Sequence, residues 1–459
     1  MKFHSKPVEE HQEVPLSDDG QWEQLISHWQ ARHPGVAPRS EGRNACYVVS
    51  VSQSPAAERT EARLAEIVAL VRAQGDAVVG SEILHRARPD PNTYLGRGAS
   101  RQIAERAAEC GADMLVVDAE LSPSQTRNLE DVTALPICDR EAVILNVFQC
   151  HAKTRKARIQ FEIAHLQYLR PRIRGLGLQM DQQAGGIMAG RGPGETASEL
   201  LARRLDGRLS MLRKSFARLQ RAGETQRKSR DECQRVVFVG YTNAGKTSLM
   251  NALTGAGLSA KDMPFETLDT TSRCLTRHGG DVVLSDTVGF IRRLPNRLLE
   301  SFESTLAELC EASVIAVVVD VSDPELEMHL ETTEAMIARL GAEQIPRLMI
   351  FNKLDRLERQ PPREFFRRHS RGSPHVVLSC HDEVATDRLR HSLIALARAK
   401  YRKSRVFLPY SASDATAKAY ATCRVHEAKA TPEGLVLTLE GLPHHVEQIR
   451  QAGKERKQS

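Results

Sequence analysis

The stretch Val236-Val237-Phe238-Val239-Gly240-Tyr241-Thr242-Asn243-Ala244-Gly245-Lys246-Thr247 decides how this chain is read. An apolar run of strand length ends on Gly240, Gly245-Lys246-Thr247 follows five positions later, and Ser248-Leu249-Met250-Asn251-Ala252-Leu253 continues with helical composition. A G-x-x-x-x-G-K-[ST] loop between a strand and a helix cradles phosphate, because its main-chain N–H groups converge on an anion at the helix N-terminus. Lys246 is then expected to reach the β- and γ-phosphates and the Thr247 hydroxyl to ligate Mg2+, with Gly240, Tyr241, Thr242, Asn243, Ala244 and Gly245 lining the anion.

Working outward, Asp286-Thr287-Val288-Gly289 follows the apolar run Val282 to Ser285. That puts a carboxylate at the C-terminal end of a strand, where doubly wound sheets bind ligands. Asp286 is expected to hold the magnesium through water, and the Gly289 N–H to contact a γ-phosphate and so sense its presence. Asn352-Lys353-Leu354-Asp355 comes after the strand Arg347 to Phe351. The Asp355 carboxylate suits the N1–H and N2 amine of guanine, whereas adenine would leave a buried charge unpaired. Ser379-Cys380-His381, after Val376 to Leu378, is placed to offer main-chain N–H groups to the base oxygen, with His381 a loop residue and not a catalyst.

Between the first two motifs lies Phe265-Glu266-Thr267-Leu268-Asp269-Thr270-Thr271, where a threonine could complete the metal shell only when the γ-phosphate is present. Hydroxyl chemistry alone does not choose among Thr267, Thr270 and Thr271. Thr247 to Asp286 is 39 residues, Asp286 to Asn352 is 66, and Asn352 to Ser379 is 27. Order and spacing together predict an α/β P-loop GTPase domain over residues 231–402, built on a mostly parallel, doubly wound sheet. Its expected chemistry is in-line attack of water on GTP, giving GDP and phosphate, with Lys246, Mg2+ and loop amides stabilising the charge on the β-γ bridge. Position 290 is Phe, not a glutamine that would orient water, so slow intrinsic turnover and a partner that supplies the missing group are expected.

The chain has 459 residues, 41% hydrophobic and 27% charged, which excludes a single small module and predicts several globular domains. Apolar runs are only strand-length, and residues 1–20 have no apolar leader core. A cytoplasmic chain that meets a membrane at most peripherally is expected. Nine cysteines without a C-x-x-C pair suggest neither zinc nor disulfides, but reduced and mostly buried thiols.

Residues 1–40 read as a flexible arm whose Trp22, Leu25, Ile26 and Trp29 share a helical face. Residues 41–150 read as a small α/β domain, with strands at Ala45 to Val51, Ala77 to Val79 and Met114 to Val117, a helical pattern at Leu64, Ile67, Val68 and Val71, and a helix capped by Ser122 before Pro123. Over 151–230, Ile159, Ile163, Leu166 and Leu169, then Leu201, Leu205, Leu209, Leu212, Phe216 and Leu219, predict a long helical hairpin around a glycine-rich loop, Gly175 to Gly194. Thr196 and Glu199 read as a capping box. His151 to Asp231 holds eighteen Lys and Arg against seven Asp and Glu, an excess of eleven that suits a surface meeting phosphate backbones or, equally, a solvated helical face. Residues 403–459 read as a small α+β domain with strands Val406 to Leu408 and Leu435 to Leu439, a helix Asp414 to Cys423 and a charged tail.

With these residues in hand, the chain resembles the HflX family of translational GTPases. The likeness rests on GYTNAGK, FETLD, DTVGFIRRLP (Asp286 to Pro295) and NKLD, and outside that domain on TYLGRG (Thr93 to Gly98), ELSPSQTRNLE (Glu120 to Glu130) and RGPGET (Arg191 to Thr196). The resemblance implies that Thr267 is the switch threonine on magnesium, with Phe265, Glu266, Leu268 and Asp269 beside the nucleotide. It implies a partner, the large ribosomal subunit and its RNA, and GTP-dependent splitting or rescue of stalled ribosomes under stress, by a chain taken as monomeric off the ribosome. Asn243 resembles the asparagine that binds K+ in cation-dependent GTPases; an Asx turn explains it equally well.

The sequence departs from the family pattern at Ala197-Ser198-Glu199-Leu200, at GGIMAG, at Asp139-Arg140-Glu141-Ala142 and in the loop ending Lys-Thr-Ser. Those departures leave the nucleotide chemistry intact and put the ribosome contacts in question. Two other readings stand beside the first. One is a GTP-gated RNA-binding module in which hydrolysis only resets a signal; the other is an ATP-using helicase, for which no second phosphate loop is present.

Overall fold

Three of the four strands of the N-terminal region are mostly or wholly buried, as a parallel sheet covered on both faces requires, while the edge strand Ala77–His85 is exposed or half-buried along its length. In this computed structural model the described residues are 44–53, 57–152, 154–173, 197–228, 233–255, 271–275, 282–295, 298 and 309–455. The first elements are β1 (Ala45–Ser52), α1 (Ala57–Ala73), β2 (Ala77–His85), α2 (Arg97–Glu109), β3 (Met114–Val117), α3 (Pro123–Thr133), β4 (Ile137–Asp139) and α4 (Arg140–His151). The chain divides into two compact units, Met1–Pro55 with Gly75–Asn146, and Ala56–Gln74 with Val147–Ser459, so α1 clusters with the second.

In the first unit four parallel strands lie in the order β2-β1-β3-β4. Tyr47, Val49, Leu115, Val117, Ile103, Leu129 and Ile137 form its core. Strand β4 was not expected: three residues are too few for a period to register. Ser122 caps α3 as expected, accepting from the Gln125 amide while the Gln125 side chain accepts from the Ser122 amide.

The second unit continues with α5 (Arg155–Ile173) and α6 (Ala197–Lys228). Ile163, Leu166 and Leu169 of α5 and Leu205, Leu209 and Leu212 of α6 are buried, as the apolar spacing requires. Ion pairs Arg170–Asp206 and Arg208–Glu162, both 2.7 Å, run in opposite senses along the two helices.

Then come β5 (Gln234–Val239), α7 (Lys246–Thr254), β6 (Thr271–Cys274), β7 (Val282–Asp286), β8 (Val314–Asp320), α8 (Leu326–Arg339), β9 (Arg347–Asn352), α9 (Arg363–His369), β10 (His375–Val377) and α10 (Glu383–Ala397). Their sheet has the order β10-β9-β8-β5-β7-β6, with only β6 antiparallel. From β5 the chain builds outward first on the β7 side and then on the β8 side. The strand order therefore reverses beside β5, and a ligand crevice opens there at the carboxyl ends. Val236, Phe238, Leu284, Ala316, Val318 and Ile350 pack with Leu249, Leu253, Leu389 and Leu393 beneath it.

The last elements are β11 (Arg402–Pro409), α11 (Ser413–Thr422), β12 (Arg424–Thr431), β13 (Gly434–Gly441) and α12 (Pro443–Glu455). The antiparallel order is β11-β13-β12, with Val406, Leu408, Leu437 and Leu439 packed against Ala415, Ala419, Val446 and Ile449. The expected charged tail is thus corrected over Pro443–Glu455: it is an amphipathic helix whose apolar side is carried by only a few residues. Strand β12 also escaped notice, because RVHEAKAT lies on an edge with most side chains exposed and shows no alternation.

The thiols correct a second expectation. None of the nine forms a disulfide, but only Cys46, Cys138 and Cys423 are buried; Cys110, Cys150, Cys274 and Cys310 are exposed. Among the described residues no helix is long and apolar enough to cross a membrane. The tryptophan helix, the loop Gly175 to Gly194, RGPGET and Thr196 lie outside the described residues.

Candidate active site

The loop after β5 turns where only special residues fit. Gly240 has φ 153, and a Cβ there would sit 2.3 Å from the Val318 carbonyl oxygen of β8. Gly245 has φ 92, and a Cβ there would sit 2.3 Å from Asn352 Nδ2. Asn243 takes φ 62, a left-handed conformation that asparagine tolerates, so backbone geometry by itself accounts for the residue type. Helix α7 then starts at Lys246 with its first amides facing the loop.

Lys246 is buried, and its ammonium donates to the Gly240 and Tyr241 carbonyls at 3.1 and 2.8 Å. Burial pulls its pKa from 10.5 down to about 8; the Asp286 charge pushes back and Lys353 lowers it further. Asp286 ends β7 fully buried, and its Oδ2 accepts from the Thr247 hydroxyl at 2.6 Å. A hydroxyl and a carboxylate facing each other beside a buried lysine are the hard oxygen donors that Mg2+ takes, so the residues present fit that ion.

Thr287 instead serves the scaffold, donating to the Phe238 carbonyl at 2.7 Å. Val288 is buried. Gly289 presses on the phosphate loop: a Cβ there would lie 2.9 Å from Thr242 Cα and 3.1 Å from Lys246 Nζ. A parallel bridge joins the two segments, with the Thr242 amide donating to the Phe290 carbonyl at 2.8 Å and the Phe290 amide to the Gly240 carbonyl at 3.0 Å.

At the other end Asn352, fully buried, donates from Nδ2 to the Ala244 carbonyl at 3.0 Å and accepts from the Cys380 amide at 3.1 Å. One side chain therefore ties the phosphate loop to the Ser379-Cys380-His381 loop. Lys353, with φ 63, pairs with Asp320 at 2.8 Å. The Leu354 amide donates to the Leu378 carbonyl at 3.4 Å. A hydrogen bond from Ser379 holds the Asp355 carboxyl below its ordinary range. Asp355 is exposed, which corrects the expectation of a buried charge. Burial, and then the Asp355 charge, push the Cys380 thiol up. His381 is exposed, and its amide donates to Ser379 Oγ at 3.3 Å.

Four of the five sequence-predicted stretches thus meet at one sheet edge. The fifth, Phe265, Glu266, Thr267, Leu268 and Asp269 with Thr270, lies outside the described residues. Two participants escaped the sequence reading. Asp320 closes β8 in the run Val317-Val318-Val319-Asp320, an acidic residue at a strand's carboxyl end that could have flagged it. The Tyr241 side chain bonds Glu66 of α1, and nothing local marks that pair.

Three family models match consecutive parts of the chain: "GTP-binding GTPase N-terminal" at 61–149, "GTP-binding GTPase Middle Region" at 151–230 and "50S ribosome-binding GTPase" at 235–353. The GTPase HflX of Gluconacetobacter diazotrophicus is 36% identical over 429 residues, covering 85% of this chain and 94% of that protein. That of Akkermansia muciniphila is 35% identical over 403 residues, covering 85% and 92%. The chain belongs to the HflX GTPase family. A solved GTP-binding protein from Sulfolobus solfataricus in complex with GDP is 22% identical at a TM-score of 0.42, covering 77% of this chain and 99% of that one.

The second of the two HflX-like motifs in the first unit is bonded to the turn just before the other. Asp90 Oδ1 accepts from the amides of Asn92 and Thr93, and Gln125 Nε2 and Asn128 Nδ2 of α3 reach the Pro91 and Asn92 carbonyls at 3.3 and 2.8 Å. ELSPSQTRNLE is therefore tied to the turn that leads into TYLGRG, and Arg97, Arg101 and Arg127 are exposed.

Proposed function

We propose that this chain hydrolyses GTP while bound to the large ribosomal subunit, and that it uses the nucleotide cycle to split or rescue stalled ribosomes. The observation that supports this reading most is the convergence of the phosphate loop, Asp286, Asn352 and Ser379 at the reversal point of one sheet. In it, Gly240 to Thr247 line the phosphates and Lys246 places its charge on the β-γ bridge. Asp355 reads the guanine edge, and main-chain groups of Ser379 to His381 face the base oxygen. Thr247, and Asp286 through water, would hold Mg2+, which supplies charge neutralisation on the outer phosphates; Thr267 is the proposed switch threonine. The Gly289 amide is the proposed γ-phosphate contact, and Lys246, Thr267 and Gly289 together carry the catalytic roles.

Phe290 carries no group that orients water, so turnover off the ribosome is slow and a large partner orders the missing group. Asn243 is the proposed K+ ligand, and exchange of K+ for Na+ should slow turnover if it serves so. The energy for displacing a subunit comes from binding the GTP form, and hydrolysis permits release. A sucrose gradient tests the reading: with a non-hydrolysable GTP analogue the protein should co-sediment with large subunits and shift intact ribosomes towards free subunits. Neither effect, or equal stimulation by free RNA of the same mass, refutes it.

A further inference from the structure

Outside the nucleotide cleft, residues 356–371 carry six arginines, two glutamates and no lysine, a local excess of four positive charges. Arg356 ends the short 3-10 turn Leu354–Arg356 that holds Asp355, Arg359 follows it, and Arg363, Arg367 and Arg368 ride on α9 with Arg371 just beyond. All six are exposed. Two are answered within the fold, since Arg368 meets Glu327 of α8 at 3.6 Å and Arg371 bonds Glu334 of the same helix. Among the described residues no carboxylate pairs with Arg359, Arg363 or Arg367.

Helix electrostatics does not account for this pattern. Cations suit the last turn of a helix, where Arg367 and Arg368 stand, but Arg363 opens α9 at the end that disfavours them and lies one turn from Arg367 as a like charge. The platform beneath is well anchored. Phe366 is buried edge-on against Phe351 of β9 with ring centroids 5.2 Å apart, and buried His369 hydrogen-bonds the Phe365 carbonyl at 2.7 Å and Glu327 at 3.3 Å. Guanidinium forks on a fixed surface match the paired oxygens of a phosphate, whereas lysines would offer only mobile point charges. In the order β10-β9-β8-β5-β7-β6 this platform stands on β9, three places from β7 and its Gly289 turn, so the last phosphate is sensed elsewhere. We propose that Arg359, Arg363 and Arg367 form an RNA-phosphate anchor of the GTPase domain, one that contributes equally to holding the large subunit in the GTP and GDP states. The inference rests on the ribosome reading above. It adds a foothold that survives hydrolysis while the nucleotide-sensing contacts change.

The test is made on the full-length chain. One variant combines Arg359→Gln, Arg363→Gln and Arg367→Gln, leaving Arg356 beside Asp355 intact. A control combines Arg388→Gln, Lys400→Gln and Lys418→Gln, which removes the same charge from other exposed positions. Affinity for large subunits is titrated at several salt concentrations, with GDP and with a non-hydrolysable GTP analogue, and the titration is repeated on deproteinised large-subunit RNA. The arginine variant should bind subunits and bare RNA roughly ten- to a hundredfold more weakly at physiological salt, with the slope of log affinity against log salt reduced by about two to three. The loss should be the same with either nucleotide, and mant-GDP binding and GTP turnover without ribosomes should not change. The control should stay close to the unaltered chain. Failure of the unaltered chain to bind large subunits with either nucleotide overturns the ribosome reading and the anchor with it. Unchanged affinity and slope in the arginine variant, an equal loss in the control, or a loss confined to one nucleotide state overturns the anchor alone. A loss on intact subunits with none on bare RNA assigns the patch to an acidic protein surface and overturns the RNA contact.

Discussion

The two parallel sheets end in the same kind of chemistry and use it oppositely. At the carboxyl edge of the β2-β1-β3-β4 sheet, Asp118 and Arg140 are both 4% exposed and pair at 2.6 Å, while Ser50 donates to the second Asp118 oxygen at 3.1 Å. Asp139 beside them accepts from the Leu121 and Ala142 amides. These three charges answer other groups of the chain, and this part of the edge is closed. At the carboxyl edge of the β10-to-β6 sheet, the buried ammonium of Lys246 is held by two main-chain carbonyls, and burial has already weakened its hold on the proton. A sheet edge becomes a binding site when its charges are left for a ligand to complete.

The sharpest way to break this contrast is Asp355→Asn, which should shift the kcat/KM ratio of GTP over XTP towards XTP by on the order of 10³-fold; unchanged selectivity in steady-state assays removes the base contact. The closed edge should respond in stability and not in binding. Asp118→Ala leaves Arg140 buried without its carboxylate, and should cost the first unit about 3–5 kcal/mol in urea unfolding of the whole chain, with GDP affinity unchanged. A loss under about 1 kcal/mol would mean that the pair is not what closes the edge.

The open edge should show a proton. The Lys246 pKa of about 8 lies below its ordinary 10.5, so between those values the unfolded chain binds the extra proton and the nucleotide-free protein gains stability as pH rises. Phosphate restores the charge, so GDP binding should take up a proton above pH 8 and weaken by about fivefold from pH 8 to 9. Calorimetry in buffers of different ionisation heat reads this directly, and a flat affinity with no proton uptake contradicts it. The smallest effect belongs to local capping: Ser122→Ala should cost about 1 kcal/mol, seen as faster amide exchange at the start of α3, without touching GTP turnover.

How much of this was legible follows from what each feature needs. Gly240, Gly245, Lys246, Asp286 and Asn352 stand at strand ends and helix starts, where local geometry dictates the residue type, so their meeting could be read from order and spacing. The stripe Leu205, Leu209, Leu212 and the Ser122 cap were legible for the same reason. Strand β4 is too short to show a period, β12 shows none because it is an exposed edge, and α12 hides its few apolar residues among charges. Burial of single side chains, such as the exposed Cys110 or Asp355, depends on neighbours distant in the chain. So does the Tyr241–Glu66 bond, whose partners lie 175 residues apart.

Asn352 carries one last consequence. Because a single amide group spans from the Ala244 carbonyl to the Cys380 amide, the half of the cleft that takes the base is cross-braced to the loop that takes the phosphates. Di- and triphosphate should therefore seat their purine alike, leaving the flank beyond β7 as the side on which the last phosphate is registered.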